Sequence, residues 1–253
     1  MVVAGLVFGA GNVAAQEPDL VTDRPDFTES SETVGRGYVQ VESGFAYERE
    51  GRGAERTGTL TAPVSLARIG IARRVELRVG TDGVFSSATG PDRVTGVADV
   101  ESGVKVRFLD QAQAGVDMAV IPMVSFPTGS DVASSGQIDP TVKLTWAREL
   151  PFGFGLSGNY NVSSLTEAGR RFAQQALSVS LGHDLLAGFG GYIEAFGFSP
   201  MSRGTSSGWT IDGGVSRLFG PNVQLDLEAG RGITSEAPDW FIGFGVAVRT
   251  RMF

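Results

Sequence analysis

The sequence predicts an all-β fold, a closed antiparallel transmembrane β-barrel of about twelve strands, on three observations. From Gly37 onward apolar and polar residues alternate with period 2, and no helical period of adequate length competes. The connections between these runs alternate long and short along the chain. The face opposite the apolar one carries charge in mid-strand, which a barrel solvates or pairs in its lumen.

Composition narrows the classes first. The 253 residues include 36 glycines, no cysteine and one histidine, with 28 acidic against 21 basic side chains. Without cysteine there is no disulfide framework and no thiolate zinc site, and one histidine removes most imidazole metal sites. The net charge of -7 argues against nucleic acid as a partner, because phosphate binding needs a basic surface. No segment has the ~18 apolar residues of a membrane helix, so any crossing is made by strands.

Met1 to Ala15 is uncharged, small and apolar, ending in Val13-Ala14-Ala15, and reads as a secretory signal peptide cut after Ala15. Residues 16–36 are polar, contain Pro18 and Pro25, and have no clear period. They form either a periplasmic leader or a plug folded into the lumen around Asp23, Arg24, Pro25 and Asp26, with Arg24 pairing luminal carboxylates. The barrel is assigned to 37–253.

Its twelve runs are 38–49, 58–69, 75–85, 95–108, 114–126, 137–149, 153–163, 171–182, 190–198, 209–218, 223–232 and 240–252. Most reach the ~9–11 residues that a tilted spanning strand needs. The connections 50–57, 86–94, 127–136, 164–170, 199–208 and 233–239 are the long set. Those at 70–74, 109–113, 150–152, 183–189 and 219–222 are the short set. Outer-membrane barrels have this asymmetry, with short periplasmic turns and longer extracellular loops. An even strand number also returns both ends of the barrel to the short-turn side.

On the lipid face Val, Leu, Ile, Phe, Ala and Gly dominate, with Trp146, Tyr160, Trp209 and Trp240 placed as girdle aromatics. Arg68, Arg148 and Arg217 fall on the same parity at short-turn ends, where arginines can snorkel to headgroups. The opposite parity gives the expected lumen lining: Glu42, Glu76, Arg78, Asp99, Glu101, Lys105, Asp139, Lys143, Glu194, Asp226 and Glu228, together with Arg107, Asp117 and Asp212. Arginine at Leu77 or Val104 is then expected to impair insertion, while neutral polar residues at Glu76 or Lys105 are expected to be tolerated. Phe253 shares parity with Arg249 and Arg251, which a bulge near the chain end would reconcile.

Several short motifs resemble one family. Thr22-Asp23-Arg24-Pro25-Asp26-Phe27-Thr28-Glu29-Ser30 resembles its N-terminal signature. Arg68-Ile69-Gly70-Ile71 with Val75-Glu76-Leu77-Arg78, and Ser125-Phe126-Pro127-Thr128-Gly129, are similar to later family segments. Asp139-Pro140, Pro238-Asp239-Trp240 and the terminal Phe253 complete the set. The family is the outer-membrane barrel group named for the MetA pathway of phenol degradation, also described as transporter-like. The resemblance covers nearly the whole chain after the signal segment. It implies transport of small, hydrophobic or aromatic compounds.

Catalytic chemistry finds little support in the residues. His183 and Asp184 are adjacent, so on a strand they point to opposite faces and cannot orient one another as a triad requires. Gly188-Phe189-Gly190-Gly191 lacks the lysine of a phosphate loop. No catalytic, cofactor or metal site is expected, and the chain reads as a non-enzyme. The leading expectation is a porin-like channel or transporter in the outer membrane of a Gram-negative-type bacterium, weakly cation-selective because acids outnumber bases in the lumen. The alternatives are a non-conducting structural or adhesive barrel and, last, an outer-membrane enzyme. The partners expected are outer-membrane lipid, the barrel-assembly machinery and a small solute.

Overall fold

A computed structural model describes residues 20–51 and 53–252. The signal segment Met1 to Ala15 and the terminal Phe253 lie outside the described residues. Fourteen strands follow one another: β1 (Tyr38–Glu50), β2 (Thr57–Ala72), β3 (Val75–Thr81), β4 (Val84–Thr89), β5 (Asp92–Val97), β6 (Val100–Leu109) and β7 (Asp117–Phe126). The second half holds β8 (Asp139–Glu149), β9 (Phe154–Glu167), β10 (Arg170–Asp184), β11 (Phe189–Ser199), β12 (Gly208–Leu218), β13 (Val223–Gly232) and β14 (Trp240–Arg251).

They make twelve staves. β3 and β4 both pair with β2, Thr81 with Ser65 and Val84 with Ala62, so they are one stave interrupted at Asp82-Gly83. β5 and β6 pair with β4 and β3 respectively and form the next stave, interrupted at Ala98-Asp99. β1 pairs antiparallel with both β2 and β14, which closes the ring. Closure removes the exposed edges that an open sheet would offer to other chains.

The outside is apolar, as the alternation requires. Leu77, Val79, Leu177, Val179, Leu225, Leu227, Ile242 and Phe244 are exposed there. Between them along the strands, Glu76, Arg78, Ser178, Ser180, Asp226 and Ala247 are buried inside. The core of this molecule is thus largely polar, and its hydrophobic side chains face outward.

Three expectations are corrected. The long set of connections is only partly loop. Residues 86–94 are mostly β4 and β5 around a turn at Gly90-Pro91, and 164–170 shrinks to Ala168-Gly169, because β9 and β10 pair out to Glu167 and Arg170. Backbone groups projecting beyond a barrel are satisfied by continuing the ladder, so these hairpins rise as sheet.

Arg68 does not face lipid. Gly44 pairs with Val64 but Ala46 with Thr61, so β2 carries one extra residue around Ala62-Pro63. A single inserted residue reverses the facing of everything beyond it. Leu60 therefore points outward, while Arg68 is 0% exposed inside the barrel. Pro63 belongs at such a place, since it has no N–H for the ladder. Arg148 and Arg217 stay exposed at the short-turn ends, with Arg217 over the rings of Phe189 and Phe219.

No bulge marks the end of β14. Its register with β1 runs unbroken from Arg49–Trp240 to Tyr38–Arg251. Val248 is exposed and Arg249 is buried, so the parity of Arg249 is simply inward.

Candidate functional site

Residues 20–36 do not hang below the barrel; they lie inside it, held by charged side chains from most of the wall. The densest contact is with β1, β2, β3 and β6. The inward facing of Glu42, Arg68, Glu76, Arg78 and Lys105 follows from the strand period and the β2 bulge. Arg68 reaches Glu42 and Glu76, each at 2.9 Å, and Arg78 reaches Glu76 at 2.8 Å. Those five residues alone carry three cations and two anions.

Asp23 supplies the missing charge. Its carboxylate accepts from Arg78 at 2.6 Å and Lys105 at 3.1 Å and lies 3.3 Å from Arg68. Its backbone N–H donates to Glu42 at 2.9 Å, and Ser30 N–H donates to its Oδ1 at 2.9 Å. Burial raises the Asp23 pKa, but the three cations outweigh that and hold it far below the usual carboxylate range. Buried charges are tolerated only when paired and hydrogen-bonded, and this six-residue set meets that condition.

Arg24 turns the opposite way, toward β13 and β14. Its Nη2 lies 3.1 Å from Asp226 and 3.9 Å from Glu228. The guanidinium occupies a notch between Gly44 and Gly245, paired across β1 and β14. A Cβ at Gly245 would come 2.2 Å from Arg24 Nε, and one at Gly44 would come 2.8 Å from Nη2. Gln224 donates to Thr22 Oγ1 at 2.9 Å, and Gln40 donates to the Val21 carbonyl at 2.9 Å.

Beyond Pro25 the segment meets β10 and β11. Glu194 accepts from the N–H groups of Phe27 at 2.7 Å and Thr28 at 2.9 Å, and from the Thr28 hydroxyl. The Phe27 ring stacks on Phe196 at 4.8 Å and meets Phe198 edge-on at 5.2 Å. These three rings put an apolar aromatic surface inside a polar lumen. Asp26 lies near Glu194; burial, then the charge of Glu194, pushes its pKa well above the usual range.

From Glu29 onward the segment meets β8, β6 and β3. Glu29 pairs with Lys143 at 2.7 Å and Arg78 at 3.3 Å. Burial raises its pKa, yet Lys143 and Arg78 bring it below the ordinary value. Glu32 pairs with Arg107, and Val34 N–H donates to Glu76 at 2.7 Å. On the short-turn side a cavity of ≈ 750 Å³ separates part of the segment from the wall, lined by Pro25, Asp26, Phe154, Ser180, His183 and Tyr192 among others.

Of the expected lining, Glu42, Glu76, Arg78, Lys105, Lys143, Glu194, Asp226 and Glu228 are gathered around residues 22–34. Three others are not. Asp99 accepts from Gly129 N–H at 2.8 Å and Ser134 at 3.0 Å, anchoring the 127–138 connection. Asp139 accepts from Thr166 and lies 3.5 Å from Arg171, toward the outer end. Glu101 is exposed to the lumen above the cluster. His183 donates from Nε2 to the Phe152 carbonyl at 3.1 Å, beside the Phe154 ring, at a short turn.

Sequence reasoning missed Arg68, Gln40, Gln224, Phe27, Phe196, Glu29 and Glu32. The bulge hid Arg68. Signals existed for two features: Gly44 and Gly245 stand on the inward parity where crowding needs a reason, and Phe196 and Phe198 share the inward parity of Glu194.

Among solved structures the chain is similar to an outer membrane channel of the COG4313 group from Pseudomonas putida F1, at 13% identity and a TM-score of 0.62, covering 87% of this chain and 98% of that one. It is similar to the NanC porin at 10% identity and a TM-score of 0.54, covering 83% and 98%. The KdgM porin follows at 13% identity and a TM-score of 0.51, covering 83% and 98%. Identities this low show the shared barrel and nothing finer. Among curated protein sequences the chain has no match. The family model described as "Putative MetA-pathway of phenol degradation" matches residues 22–250, from the inner segment to the last strand, and the chain belongs to that family.

Proposed function

We propose that this protein is an outer-membrane conduit for small solutes whose lumen is controlled by its own residues 20–36. The observation that carries the reading is the inner segment itself. It is held largely by ion pairs and hydrogen bonds, with Phe27 stacked on the wall and Leu20 and Val34 buried at its two ends. Such contacts exchange readily for water once a segment shifts, since each is worth only ~0.5–3 kcal/mol net. An apolar outside with Trp146 at one end and Trp209 and Trp240 at the other supports a membrane-spanning barrel. The similar solved structures, a channel and two porins, support conduction.

For the solute, the stacked Phe27, Phe196 and Phe198 favour a compound with an aromatic or apolar body, in keeping with the family description. Around the cavity Asp26, Glu32, Asp117, Glu149 and Asp184 outnumber Arg24 and Arg148, which favours cations over anions among ions.

Planar-bilayer conductance of the whole protein and of a variant lacking residues 20–36 tests the reading. Small, weakly cation-selective conductance that increases on deletion is expected. Absence of conductance in both forms would instead favour the structural-barrel reading, which the internally paired Arg68–Glu76–Arg78–Lys105 cluster would then explain.

A further inference from the structure

On the long-loop side, the outer face carries a cationic recess that the lumen does not share. The registers place Trp240, Arg49, Gly58, Ala88 and Arg93 in one row across β14, β1, β2, β4 and β5. This row is on the outward parity, with Leu60 and Phe45 exposed in the rows beneath it. Two arginines thus flank a floor of glycine and alanine. Their Cα atoms stand three strand spacings apart, roughly 14–15 Å. Arg56, two residues from Gly58, adds a third cation. Arg49, Arg56 and Arg93 line one recess of ≈ 670 Å³ with Tyr47, Leu60 and Ser86.

Three features mark the recess as built to take something. None of the three arginines has an ion pair or side-chain hydrogen bond among the described residues, and Arg49 Nε is buried without a partner. Asp239 borders Arg49 and Arg56 in an adjoining recess, and Glu55 precedes Arg56, yet neither carboxylate pairs with them. The Tyr47 ring lies over Gly58, where a Cβ would come 2.5 Å from its hydroxyl, so that hydroxyl is directed at the arginine row. It too has no partner among the described residues. Height is set by aromatics: Trp240 is directly opposite Arg49, and its ring is 5.7 Å from that of Tyr47. Trp and Tyr mark the headgroup level of a membrane. Below that level the wall is Phe45, Leu60, Ile242 and Phe244, all exposed.

We infer that this recess binds the phosphorylated headgroup of an outer-leaflet glycolipid, with its acyl chains against the Phe45–Phe244 wall. Arginine suits this ligand because its planar fork meets phosphate with two parallel charge-assisted hydrogen bonds. A chemistry that is anionic at the arginine row and apolar one row below is that of a lipid. A free phosphate would leave the apolar rows unused. The inference rests on the outer-membrane orientation proposed above but is independent of conduction, since every residue in it faces away from the lumen.

The test is native mass spectrometry and lipid titration of the whole protein in nanodiscs, with bisphosphorylated lipid A, dephosphorylated lipid A and inorganic pyrophosphate as probes. Bisphosphorylated lipid A is expected to bind at least tenfold more tightly than the dephosphorylated form. The triple variant R49Q/R56Q/R93Q is expected to lose that difference, while Arg148→Gln, at the other membrane face, keeps it. Retained heat-modifiable migration shows that the triple variant is folded. Equal binding of both lipids by the native protein, an unaltered preference in the triple variant, or tight pyrophosphate binding without lipid preference overturns the inference. Normal conductance alongside any of these results leaves the channel reading standing and removes this one alone.

Discussion

Asp23 is the residue on which the interior charge balance turns, because it completes a set of three anions for Arg68, Arg78 and Lys105. Removing one partner of a buried charge set costs up to ~3–5 kcal/mol, and water admitted to a lumen reduces that. Asp23→Asn is therefore expected to lower the thermal midpoint and raise single-channel conductance together. A loss of stability with no change in conductance would separate the segment from the gate. Asp23 and Asp26 also give the docked segment opposite pH limits. The Asp23 pKa is lowered, so its contribution is full above the ordinary carboxylate pKa and is lost as pH falls below it. The Asp26 pKa is raised by burial and Glu194, so the docked state favours its protonated form and weakens as pH climbs past the ordinary range. Asp26→Asn should flatten the alkaline side of a conductance-against-pH curve and leave the acid side in place. An unchanged alkaline side would show that Asp26 is not the group titrating there.

Among the elements, β14 and β1 contribute by what they omit. The Gly44–Gly245 pair leaves room for the Arg24 guanidinium, and the atoms nearest a Cβ at Gly245 all belong to that flexible side chain. Gly245→Leu is thus expected to displace Arg24 from Asp226 while the strand still pairs. The measurement is conductance together with heat-modifiable migration, and a folded barrel with native conductance would count against the notch. The β2 bulge matters as much. Without the extra residue around Ala62-Pro63, Arg68 would face lipid, so the bulge determines whether the buried network exists.

At the scale of the whole molecule, the two faces answer to different solvents. Leu77 is 39% exposed on the lipid side, and Glu76 beside it is 0% exposed. Leu77→Arg should destabilise insertion into lipid vesicles by roughly 2–4 kcal/mol if it lies near the midplane. Glu101→Gln, in the open part of the lumen, should change insertion little. The tolerance expected from parity for Glu76 and Lys105 does not survive the structure, because each is locked into the Asp23 cluster. Neutralising either should perturb the barrel far more than neutralising Glu101, and equal effects at all three positions would deny the cluster its role.

By itself the sequence determined the barrel. Period-2 alternation from Gly37 and charge on one parity are local properties, and each strand displays them without knowledge of its neighbours. For the same reason Glu42, Glu76, Arg78, Lys105, Lys143, Glu194 and Asp226 were legible as inward. Only the tertiary structure decided what those charges meet. Whether Asp23 and Arg24 enter the lumen depends on the sum of contacts with β1, β2, β3, β6, β13 and β14, several of them far away in sequence, and Pro25 says only that the chain bends. Arg68 was misplaced because a bulge is a property of pairing: the extra residue in β2 is extra only relative to β1. The two-residue turns at Gly90-Pro91 and Ala168-Gly169 escaped for a related cause, since polar strands above a membrane lose the apolar alternation by which strands are read.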